Sequence, residues 1–67
     1  MRKEKALLLK EGSLVVAGSE IMRVIGTPEL HVWYGSPVAR VTAADAYYRT
    51  RVFVHDEIES IEVDAAA

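Results

Sequence analysis

Glycine and proline divide this chain into short apolar pieces. The glycines stand at Gly12, Gly18, Gly26 and Gly35, and the prolines at Pro28 and Pro37. Between them lie runs rich in Val, Ile, Leu and aromatic residues. Each run has the length of a strand and is too short for a helix that holds by itself. A succession of such runs predicts an all-β domain, or a mostly β domain with one short helical turn. About six to seven short antiparallel strands would close into a small barrel or sandwich.

The pieces read as follows. Lys5–Lys10 and Ser13–Ala17 are apolar on both faces and are expected to be strands covered on each side. Gly18-Ser19 is a two-residue loop in which glycine supplies positive φ at the first central position, as a type II′ hairpin requires. Glu20–Ile25 follows, and then Gly26-Thr27-Pro28-Glu29 breaks the chain. Leu30–Tyr34 alternates, with Leu30, Val32 and Tyr34 on one side and His31 and Trp33 on the other. After the turn Gly35-Ser36-Pro37, Val38–Ala43 places Ala39, Val41 and Ala43 on one face. Thr42-Ala43-Ala44-Asp45 matches a loose capping box and offers a helical alternative through Arg51. The strand reading ranks above it because Val52-Phe53-Val54 is β-branched and aromatic.

Tyr47–His55 is the most function-like stretch. Alternation assigns Tyr48, Thr50, Val52 and Val54 to a core face and Tyr47, Arg49, Arg51, Phe53 and His55 to an outer face. The second set is a row of rings and cations that could meet a partner's carboxylates, phosphates or apolar surface. The competing expectation is a solvated face whose arginines pair with Glu or Asp on a neighbouring strand. From His55 onward, a helical turn at Asp56–Ser60 leading into a last short strand resembles, in kind, the closing element of small SH3-like and Sm-like barrels. No family motif accompanies that likeness. Residues 1–4 and 64–67 are expected to fray.

Bulk composition narrows the function. The 67 residues form one domain, 51% of them apolar and none of them cysteine, with a net charge of −2. A core this small rarely supplies more than roughly 3–5 kcal/mol without a staple. Disulfides and thiolate metal sites are excluded, so self-association is the expected source of further stability. The acidic balance argues against a general nucleic-acid binder. No run reaches membrane-spanning length, and a cytoplasmic location is the default. His31 and His55 lack metal-ligand spacing. Neither a nucleophile elbow nor a phosphate-binding glycine loop occurs.

The expectation is therefore a non-enzymatic module that binds copies of itself and another protein, with no cofactor, metal or catalytic residue. Its partner-binding positions would be Trp33, Tyr47, Arg49, Arg51 and Phe53. Leu7, Leu8, Leu9, Val15 and Val16 would form the subunit interface. The alternative is a small barrel binding RNA or single-stranded DNA, with Arg23, Arg40, Arg49 and Arg51 on phosphates.

Overall fold

The computed structural model describes residues 1–61. They form a mostly β domain of six antiparallel strands in a curled half-barrel sheet. The chain runs α1 (Lys3–Ala6), β1 (Leu14–Ala17), β2 (Glu20–Val24), β3 (Glu29–Trp33), β4 (Ser36–Ala44), β5 (Thr50–Val54), a 3₁₀ turn (His55–Glu57) and β6 (Glu59–Ser60).

β4 is the axis of the sheet. Along one edge it pairs with β5, from Arg40↔Val54 to Ala44↔Thr50. Its other edge takes β2 at Arg23↔Ala44 and Val24↔Ala43, and β3 from Glu29↔Arg40 to Trp33↔Ser36. β2 and β3 are thus one long strand interrupted by a two-residue bulge at Gly26-Thr27. Gly26 takes the positive φ this needs, at +73°. Beyond the bulge Pro28 is buried, so the break resets the register and returns a side chain to the interior. β1 pairs with β2, and β6 adds to β1.

The inner face of the sheet holds the core. Val15, Met22, Val24, Ala39, Val41 and Ala43 are fully buried there, with Ala6 and Ile58 closing over them. Each larger side chain so enclosed contributes roughly 1.5–3 kcal/mol. α1 lies against β4 and the 3₁₀ turn. His55 ties that turn to the sheet, its Nδ1 accepting the Ala39 N–H at 3.2 Å. Glu57 Oε1 accepts the Val54 N–H at 2.8 Å.

The turns follow local chemistry. Gly18 has φ +64° while Ser19 keeps a negative φ, the type II′ sign pattern. Tyr34 and Gly35 both have positive φ, +48° and +79°, making a two-residue type I′ loop. Asp45 opens a three-residue loop instead of capping a helix. Its C=O accepts the Tyr48 N–H, its N–H donates to Arg49 O, and Tyr48 takes φ +62°.

Several expectations are corrected. Lys5–Lys10 is not a strand: Lys3–Ala6 makes one helical turn, and Leu7 and Leu9 pack on the core. Good helix formers allow this, and the apolar contact holds a turn too short to survive alone. At the N-terminus the Met1 amino group donates to Ile58 O at 3.1 Å and to Glu59 Oε1 at 2.9 Å. The two faces of β5 are reversed. Directly paired residues share a face, so Val41↔Phe53 and Ala43↔Arg51 turn Phe53 and Arg51 inward, while Thr50 and Val52 point out. The expected fraying of 64–67 lies outside the described residues.

Candidate interaction surface

Two features leave this small sheet looking for neighbours. The first is the β3–β4 hairpin, which projects past the core as a two-stranded arm. All five residues of β3 are exposed, on both faces. Leu30 and Val32 continue the inner face beyond Ala39 and are largely exposed, and Trp33 continues the outer face at 58% exposure. At the tip, Trp33 and Tyr34 meet edge to face at 5.5 Å. A two-stranded ribbon alone is marginal in water. Its type I′ turn favours it, but its apolar side chains gain little here.

The second feature is the outer face of the sheet, which no other element among the described residues covers. Cross-strand pairing arranges its side chains in rows. The central row is Ile25–Thr42–Val52, set by the Ile25 N–H to Thr42 O bond of 2.9 Å and the Thr42↔Val52 pair. One side carries Leu14–Arg23–Ala44–Thr50 and the other Glu29–Arg40–Val54. Two open grooves meet at Ile25. One, of about 550 Å³, also includes Leu14, Ile21, Ala44 and Tyr48; the other, of about 350 Å³, includes Thr27, Glu29, Arg40 and Val52.

The ring-and-cation row exists in another form than alternation implies. Arg49 and Arg51 line one small cleft with Glu20 and Asp45. Arg51 Nη2 donates to Glu20 Oε2 at 2.8 Å and reaches Met22 Sδ at 3.5 Å. Arg49 Nε donates to Asp45 Oδ2 at 2.8 Å. Each guanidinium also lies over a ring, Arg49 on Tyr47 at 5.2 Å and Arg51 on Phe53 at 5.3 Å. Both cations are therefore paired with carboxylates of their own chain. Tyr47 and Arg49 belong to the loop, not to β5.

Asp45 organises that loop. Its side chain is only 7% exposed, and Oδ1 accepts the N–H groups of Tyr47 at 2.8 Å and Arg49 at 3.0 Å. Desolvation pushes its carboxyl up. The two N–H donors and the Arg49 guanidinium outweigh that and hold it below the usual carboxylate range.

Comparison with protein-family models, with curated proteins and with solved structures finds no match. Among the described residues, no group of three His, Asp or Glu side chains could hold a metal. No helix there is long and apolar enough to cross a membrane.

The expected interface residues scatter. Val15 is sealed in the chain's own core, so in this fold it is not open to a second subunit. Leu7 and Leu9 pack against that core. Leu8 is exposed, and Val16 is half-buried on the outer face. Of the expected phosphate contacts, Arg23 and Arg40 point outward. Unlike Arg49 and Arg51, they make no ion pair among the described residues.

Sequence reasoning passed over Tyr34 and Tyr48. They are the two non-glycine residues with positive φ among the described residues, and they are 94% and 90% exposed. Each holds a position that glycine or asparagine usually takes. The signal was present for Tyr34: two alternating runs separated by Tyr34-Gly35 predict positive φ at both. Glu29 was also missed, because its meaning depends on which residue it faces across the sheet.

Proposed function

We propose that this chain is a non-enzymatic assembly module that associates with copies of itself, with the β3–β4 arm and its tip as contact elements. The observation that carries the reading is the pair of exposed tyrosines in left-handed backbone. An L-residue there costs about 1–2 kcal/mol, and neither ring gains burial within the chain to offset it. Strain kept beside an exposed large ring is what a contact site asks for. The uncovered apolar face of β3 adds to this support. Nothing in the reading requires a compartment other than the cytoplasm.

The nucleic-acid alternative draws less support. Arg49 and Arg51 would have to leave Asp45 and Glu20 before meeting phosphate, which leaves Arg23 and Arg40, the latter with Glu29 directly across the sheet from it.

Trp33 is the single tryptophan and reports directly on the arm. Sedimentation equilibrium from micromolar to sub-millimolar concentration should show mass rising with concentration. Trp33 emission should shift to the blue over the same range. A folded monomer with unshifted emission throughout would refute self-association.

A further inference from the structure

Resting on the assembly reading, we infer that the partner is a second copy docked on the outer face of the sheet. The two-fold axis runs along the row Ile25–Thr42–Val52, so that Arg23 of each copy meets Glu29 of the other.

The register carries this. Along β4 the outward side chains Ala44, Thr42 and Arg40 follow one another at about 6.8 Å, two residues at a time. Rotating a copy by 180° about the Thr42 row keeps each strand column in place and exchanges the flanking rows. In the β2–β3 column, Arg23 then lies opposite Glu29. In the β4 column, Arg40 lies opposite Ala44, a small residue that leaves its guanidinium room. No cation stands directly opposite a cation; Arg40 comes to lie one strand over from the partner's Arg23, beside its own cross-strand neighbour Glu29. Two-fold symmetry makes the Arg23–Glu29 contact twice.

The charges support the same placement. Glu29 and Arg40 are direct cross-strand neighbours, yet they form no ion pair. Arg23 also lacks one, among apolar Leu14, Ile21 and Ile25. Arg49 in the loop and Arg51 on β5 are, by contrast, paired within the chain. In the β2–β3 column the outer face therefore holds one positive and one negative side chain, Arg23 and Glu29, at matched distances from the uncharged row, an arrangement that is self-complementary across such an axis; Arg40 is a second outward cation, in the β4 column.

The extent agrees. Four strand columns about 4.8 Å apart and five rows about 6.8 Å apart give a footprint on the order of 600 Å² per copy. Two copies then bury about 1,200 Å², the lower bound of stable interfaces. The same rotation carries the Trp33–Tyr34 end of β4 toward the partner's Tyr48 end. That gives both strained tyrosines a neighbour.

Charge reversal tests the pairing. Arg23→Glu and Glu29→Arg should each weaken association at least about tenfold, because like charges then oppose each other twice. The double variant R23E/E29R should regain parental association to within about threefold. Circular dichroism should show all three folded, since both positions are exposed. Association that persists unchanged in both single variants overturns this dimer and leaves self-association by another surface standing. A double variant that stays as weak as the singles also overturns it. A parent that is monomeric at every concentration overturns both the dimer and the assembly reading.

Discussion

Tyr48→Gly should make the monomer more stable and the assembly weaker. Tyr48 sits at φ +62° with its side chain 90% exposed. Releasing the left-handed strain returns about 1–2 kcal/mol. Glycine's greater freedom in the unfolded chain takes back about 0.5–1 kcal/mol. The ring forfeits almost no burial, so the net gain is about 0.5–1 kcal/mol. For a domain of this size that raises the Tm by roughly 2–8 °C. Tyr48→Ala separates the terms, because it removes the ring and keeps the strain; its stability should lie within about 0.5 kcal/mol of the parent. Urea denaturation at low micromolar concentration measures the monomer, and sedimentation at high concentration measures association. Y48G should shift the urea midpoint up while both variants associate less. A Y48G protein less stable than Y48A would refute the reasoning, because the backbone at residue 48 would then not be strained. Undiminished association in both variants would remove the tip of the loop from the contact surface.

Two further outcomes follow from neighbouring observations. Met22 is buried and Ile21 beside it points out; Met22→Ala should cost about 2–5 kcal/mol and leave the domain largely unfolded by circular dichroism, whereas Ile21→Ala should stay within about 0.5 kcal/mol at monomeric concentration. Asp45 titrates below its ordinary value of 3.8 in the folded chain. Its contribution is therefore complete above that value and is lost as pH falls through the lower folded value. Asp45→Asn should lower stability at neutral pH and flatten the decline of the urea midpoint below about pH 4. An unchanged acid slope would mean the loop does not depend on the ionised carboxylate.

Much of the candidate surface was visible before any fold was known, but its arrangement was not. The row Tyr47, Arg49, Arg51 and Phe53 is a real cluster. The competing expectation was pairing of its arginines with acids on a neighbouring strand, whereas Arg49 pairs with Asp45 of its own loop and Arg51 with Glu20 on β2, two strands away. Glu20 lies 31 residues from Arg51, and no local pattern selects it over the other nine acidic residues. Trp33 was expected as a contact position and is exposed. The outer-face rows could not be read, because they depend on which residues of β2, β3 and β5 stand opposite β4.

What the sequence alone determined is local. Glycine marked turns or breaks at 12, 18, 26 and 35, although Ser36 and Pro37, expected in a turn, lie within β4 and the loop between β4 and β5 has neither glycine nor proline. Gly18-Ser19 specified its own hairpin, and the small apolar side chains at 39, 41 and 43 marked one face of β4. Alternation with period two separates the sides of a strand without saying which side is inside. That decision belonged to the tertiary structure. Val41 opposite Phe53 turned β5 over, the bulge at Gly26-Thr27 reset β3, and the core ended at Ala39, leaving the arm outside. Burial is a property of what lies across the sheet and above it, and those neighbours are distant in sequence.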